Sequence, residues 1–427
     1  MQASLRFESL CDKQYRPTTG DFVTRMALRV GISDLAETLP LNLCLLIDRS
    51  MSMTGAKMDA ARQSAAALVE ALRPDDRLSV LTFSSTVDVL LRAVTMDEAG
   101  KARALDVTGR LAPGGVTRMD LALNEAVAVL RETGNDALNM LLLLSDGAPT
   151  NQLGYVLEED ARDGLRDTVA QALRDASVVT STIGLGDAAD CLAPFLEACA
   201  ETGQGVFYHE DQPEHLADRF IEAFQRVSLV AATDVRFHLK DPAGRVRKAA
   251  AVYPDLRELP VQQADDGSLV LEAGGLAKGE EHVFLVELVT EGDGTAVRKK
   301  LCDVSLTYRM DGEARETHAQ SPVIEMTDDA ALLRKPGHDE VEKYKAMYMA
   351  FQQTRFAADN VRGGGDSAKT RVLLESAAKT TRRLGMAKQT KLLTDMARDL
   401  DGKGTLSENQ LAELTTAGRK TKLLQAH

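Results

Sequence analysis

The chain has 427 residues, 44% of them hydrophobic, which is enough for two or three domains with separate cores and excludes a disordered chain. Its 51 basic and 64 acidic residues give a formal net charge of -13, which argues against nonspecific binding to nucleic-acid phosphates because that needs clustered Lys and Arg. The scattered cysteines Cys11, Cys44, Cys191, Cys199 and Cys302 form no C-x-x-C pair and read as reduced thiols rather than a zinc site or a disulfide framework.

In chain order, residues 1–39 carry "ASLRFESL" and "FVTRMALRVGI", strand-like stretches that resemble material found much later in the chain. Residues 40–228 alternate strand and helix. Leu41–Ile47 is an almost wholly apolar run, as expected of a strand buried on both faces. A helical stripe of Met58, Ala61, Ala65, Leu68, Val69 and Leu72 follows it. "RLSVLTF" is the next strand, with "VDVLLRAV" as its hairpin partner at a sheet edge. Helices are expected over 96–110 and 119–132, a second central strand at "ALNMLLLLSD", a helix over 158–174 and a strand at "SVVTSTIGLG". A helix over 190–201, the short strand "GVFYHE" and a helix over 213–227 complete the segment. The alternation implies a doubly wound, mostly parallel sheet covered on both sides.

Residues 229–328 change to period-two alternation broken by Gly and Asp turns, the pattern of an antiparallel sandwich. The first 39 residues are expected to supply its missing strands, so that the α/β domain is inserted in a β-sandwich. Residues 329–427 form a helical region. Its stripe of Val341, Tyr344, Tyr348 and Phe351, widened by Met347, Phe356 and Val361, is expected to be a packing face.

In a parallel sheet, ligands bind beyond the carboxyl ends of the strands. Three pieces of sequence should gather there. "DRSMS" places Asp48, Ser50 and Ser52 at alternate positions, on one side if the segment is extended. "APGGVTRMD" presents Thr117 just before a helix, and "LLLLSDGAPTN" ends a central strand at Asp146. Two carboxylates and three hydroxyls make a hard, all-oxygen site suited to Mg²⁺ or Mn²⁺, and less to the larger Ca²⁺. Both carboxylates, ionised, would balance a divalent ion, leaving it able to take one more anionic oxygen from outside.

In that order, "DRSMS", Thr117 and "SDG" resemble the metal-ion-dependent adhesion site of von Willebrand factor type A domains, over roughly Leu41–Val227. The resemblance implies a Rossmann-like α/β fold and assigns Asp48, Ser50, Ser52, Thr117 and Asp146 to the metal site. Met51 stands where many members have Gly, and it would be strained if that position required positive φ. The flanking sandwich is similar in layout to bacterial proteins related to inter-alpha-trypsin inhibitor heavy chains. The function implied is that of a non-enzymatic binding or scaffold protein whose Mg²⁺ engages an Asp or Glu of a partner protein. The alternative is an accessory subunit of a separate AAA+ ATPase, of MoxR or chelatase type, or of a Ser/Thr kinase or phosphatase system acting on tail threonines.

Other motifs carry less. "DLDGKGTLSENQ" resembles an EF-hand loop with Asp399, Asp401, Gly404 and Ser407 in place, but Lys403 occupies a ligand position and Gln410 replaces the closing glutamate. A helix–turn–helix connection is the expectation there. "YHEDQPEH", with His209 and His215, reads as a surface turn. No P-loop, nucleophile elbow or H-E-x-x-H is present, so no hydrolytic site is expected. No apolar run approaches the ~20 residues of a membrane span, and the N-terminal stretch has no secretory pattern, so a cytoplasmic location is expected.

Overall fold

The structure, a computed structural model, describes residues 4–33, 36–132, 137–310 and 312–419. It comprises two compact units. One is Thr38–Leu229 with Ser407–Thr416; the other joins Met1–Glu37, Val230–Leu406 and Ala417–His427.

The first unit contains a six-stranded sheet. Its strands are β1 (Leu41–Asp48), β2 (Arg77–Phe83), β3 (Val87–Thr95), β4 (Leu138–Ser145), β5 (Val179–Leu185) and β6 (Gln204–Glu210). In space they run β3-β2-β1-β4-β5-β6, with all neighbours parallel except the β2–β3 hairpin. Strand order reverses between β1 and β4, so the crevice beyond their carboxyl ends is the switch point where such sheets bind ligands. Both strands are buried along their whole length, which is why their sequences are apolar runs rather than alternations.

The helices are α1 (Ala56–Ala71), α2 (Glu98–Gly109), α3 (Met119–Arg131), α4 (Glu159–Asp175), α5 (Ala193–Thr202) and α6 (Leu216–Ser228). Residues Met119, Ala122, Leu123, Ala126, Val127 and Leu130 of α3 fall at helical spacing and pack on Cys44, Leu46, Leu141 and Leu143. The entry to β1 is fixed by Asp76, whose buried carboxylate accepts from Leu41 N (2.8 Å), Arg73 N (2.8 Å) and Arg73 Nη2 (2.8 Å).

In the second unit two five-stranded antiparallel sheets share one core. One has the order Leu5–Cys11, Thr19–Ile32, Glu281–Asp293, Arg245–Tyr253, Arg257–Leu259. The other runs Val261–Gln263, Leu269–Ala277, Val230–Lys240, Asp303–Met310, Glu313–Glu316. Thr19–Ile32 therefore pairs with a strand nearly 260 residues away, for example Ala27 with Leu285. Phe237 and Phe284 meet edge to face between the sheets, with ring centroids 4.9 Å apart.

Helices α7 (Ala330–Leu333), α8 (Asp339–Arg362), α9 (Ser367–Arg383), α10 (Ala387–Lys403) and α11 (Glu408–Arg419) follow. Val341, Tyr344, Met347, Tyr348 and Phe351 of α8 pack on Ala27, Ala250, Val252 and Leu285 of the sandwich. Phe356, expected to widen that stripe, stays 58% exposed. Asp399 and Asp401 lie inside α10, so no calcium loop forms; Gly404, at φ 75°, ends the helix, and Asp401 pairs with Arg371 at 2.7 Å. Among the described residues, no helix is long and apolar enough to cross a membrane.

Candidate functional site

The switch point holds the residues singled out by the sequence. Asp48 closes β1 and is wholly buried. Its Oδ1 accepts from the backbone N–H of Ser50 (2.8 Å), and its Oδ2 accepts from Ser145 Oγ at the end of β4 (2.6 Å). The segment after it is not extended. A 3₁₀ turn over Met51–Met53, closed by Met53 N donating to Ser50 O (3.0 Å), replaces the expected alternation. The turn brings Ser50 Oγ and Ser52 Oγ to 2.9 Å. Met51 is not among the residues with positive φ, so the strain expected if this position required it is absent, and its side chain is 63% exposed.

Asp146, just after β4, is also buried. Ser52 Oγ donates to its Oδ1 (2.7 Å). Ser50 Oγ, Ser52 Oγ and Asp146 Oδ1 thus form a continuous hydrogen-bonded chain. Thr117 arrives from the loop before α3. Its N–H donates to Thr150 Oγ1 (2.9 Å), and its carbonyl accepts from Thr150 N (2.8 Å). That loop is stitched to the first one by Met51 N donating to Gly115 O (3.1 Å). Gly147 leaves room for the cluster: a Cβ there would stand 3.3 Å from Thr117 Oγ1 and 3.7 Å from Ser52 Oγ. All five predicted oxygen-bearing residues thus converge from three loops.

Burial is the strongest influence on Asp48 and pushes its carboxyl up to about 6; hydrogen bonds from Ser145 and Ser50 pull it down, and the charge of Asp146 pushes it up. One compensating charge comes from within the protein, the Lys57 ammonium 2.6 Å from Asp146 Oδ2. The donors are all oxygen, with no thiolate or imidazole among them, so they fit a hard divalent ion. Among the described residues no group of three or more His, Cys, Asp or Glu could hold a metal. This set differs in supplying only two carboxylates and making up its number with hydroxyls.

Two neighbours escaped the sequence reading. Ser145 orients Asp48, a role that follows from register: Ile47 pairs with Leu144, so the next residues lie side by side. Lys57 Nζ donates to Asp146 Oδ2 at 2.6 Å. Its only signal in the sequence is a cation in the first turn of a helix, where anions are favoured. His209, expected on a surface turn, lies in β6 with Nε2 2.8 Å from Gly186 O, while His215 is in a 3₁₀ turn. They form no joint site.

Residues 42–219 match the family model of the von Willebrand factor type A domain. An uncharacterized protein of Synechocystis sp. is 28% identical over 365 residues, covering 83% of this chain and 82% of its own length. Inter-alpha-trypsin inhibitor heavy chain H2 of Mus musculus is 24% identical over 212 residues, or 47% of this chain and 21% of the heavy chain. This chain therefore spans about a fifth of that relative. Among solved structures, the von Willebrand factor type A protein from Catenulispora acidiphila superposes with a TM-score of 0.80 at 20% identity, covering 98% of this chain and 96% of that one.

Proposed function

Since residues 42–219 form a von Willebrand factor type A domain, we propose that the chain is a non-enzymatic protein-binding module that engages a partner's Asp or Glu through a divalent cation. Asp48, Ser50, Ser52, Thr117 and Asp146 hold the ion, directly or through water, and Mg²⁺ or Mn²⁺ suits their oxygens better than Ca²⁺. When bound, the cation supplies a Lewis-acid position for an external carboxylate oxygen. The observation that carries this reading is the convergence of two buried carboxylates and three hydroxyls at the switch point of the sheet.

The surroundings favour a protein ligand. Met51 (63% exposed), Leu153 (79%) and Tyr155 (69%) rise from the loops that form the cluster. Gly154 between the last two lies against Val116, the neighbour of Thr117; a Cβ on Gly154 would stand 3.1 Å from Val116 Cγ1. Exposed apolar side chains beside a polar centre are the usual make-up of a recognition patch, with the cation fixing the acid and the rim gripping its apolar flank.

The test has two parts. Mn²⁺ binding to the full chain is measured for the wild type and for Asp48→Ala, and protein capture from the native lysate is compared in Mg²⁺ and in EDTA. Loss of the ion in Asp48→Ala together with EDTA-sensitive capture is the expected result. Unchanged binding in both comparisons removes the metal bridge.

A further inference from the structure

Lys57 sits in the first turn of α1, where the unpaired backbone N–H groups disfavour a cation. Its side chain crosses to the oxygen cluster instead of leaving for solvent. Nζ is 2.6 Å from Asp146 Oδ2, and the Asp146 side chain is fully buried while that of Lys57 is 28% exposed. Gly186, at φ +93°, leaves the path open: a Cβ there would stand 3.2 Å from Nζ and 3.3 Å from Cε of Lys57. The other oxygen of Asp146 accepts from Ser52 Oγ at 2.7 Å. Both carboxylate oxygens are therefore engaged by protein donors.

We propose that Lys57 is a built-in counter-cation that keeps Asp146 from ligating the metal directly, and so biases the centre toward a partner's carboxylate. The inference rests on the metal-site reading above and adds a device to it. Asp48 and Asp146 carry two negative charges and Lys57 returns one. A divalent ion added to that set leaves one positive charge in excess. Without Lys57 the same ion would be neutralised within the protein, and Asp146, freed on Oδ2, would fill a coordination position itself. The lysine thus trades resident affinity for the ion against attraction for an external anion.

The experiment uses Mn²⁺ alone as the probe, on the full chain, with wild type, Lys57→Met and Lys57→Arg. Methionine keeps the stem that runs past Gly186, and arginine keeps the charge. Lys57→Met is expected to bind Mn²⁺ at least about thirtyfold more tightly, the size of removing a unit charge ~4 Å from a divalent ion even at the dielectric of bulk water. Water-proton relaxation of its bound Mn²⁺ should show one fewer exchangeable water, because Asp146 takes that place. Lys57→Arg should stay near the wild type in both. Equal Mn²⁺ affinity and equal hydration in wild type and Lys57→Met overturn the counter-cation while leaving the metal site standing. Absence of Mn²⁺ binding in all three overturns both readings, whereas binding confined to Lys57→Met supports the lysine as the controlling charge.

Discussion

Ser145→Ala offers a direct test of how the centre is held together before any ion arrives. Ser145 is fully buried and its hydroxyl reaches Asp48 Oδ2 at 2.6 Å. A hydrogen bond to a charged group contributes about 1.5–3 kcal/mol, and stranding the buried oxygen adds cost rather than relieving it. The same hydroxyl also meets Gly147 O at 3.0 Å and accepts from Gly147 N at 3.3 Å, so a single variant mixes losses at two partners. A double-mutant cycle with Asp48→Ala separates them. Urea unfolding in EDTA at neutral pH should give a coupling energy of about 2 kcal/mol between the two positions, with Ser145→Ala also weakening Mn²⁺ binding. A coupling energy below about 0.5 kcal/mol would mean that the two strand ends are not linked through this bond, and the reasoning from register would fall.

Three further outcomes are expected. Asp76→Ala, which leaves Leu41 N and Arg73 without their buried acceptor, should cost about 3 kcal/mol in urea unfolding. Gly147→Ala places a methyl 3.3 Å from Thr117 Oγ1 and should weaken Mn²⁺ binding about tenfold, as overpacking by 1–3 kcal/mol implies, with the circular dichroism spectrum unchanged. Leu153→Ser combined with Tyr155→Ser alters only exposed side chains, so unfolding free energy should stay within about 0.5 kcal/mol while EDTA-sensitive protein capture falls. Capture at wild-type level would show that the apolar rim takes no part.

The legible parts of the sequence were those whose signal is local. The almost wholly apolar β1 and β4 announce strands covered on both faces, and an Asp at each end marks the switch point. Thr117 was legible because it stands between a glycine loop and a strongly periodic helix. The geometry of "DRSMS" was not, because period two holds only for extended backbone and Ser50–Met53 closes a 3₁₀ turn. Ser145 and Lys57 were hidden for a different reason. One acts across a strand register and the other from a helix onto a neighbouring loop, and neither pairing is written in spacing along the chain. The aromatic stripe of α8 showed that a face is buried, yet Phe356, which fits the same wheel, lies outside the contact.

The last described helix has a consequence for how the α/β unit is made. Ser407–Thr416 belongs to that unit, Ala412 is buried in its core cluster, and Asn409 Oδ1 accepts from Ala188 N at 2.6 Å. A nascent chain emerging from the ribosome therefore has its central sheet roughly two hundred residues before the piece that finishes its packing. Excising 38–229 as a recombinant fragment would leave an apolar seat uncovered, and such a fragment should clump unless a peptide spanning 407–416 is supplied alongside it.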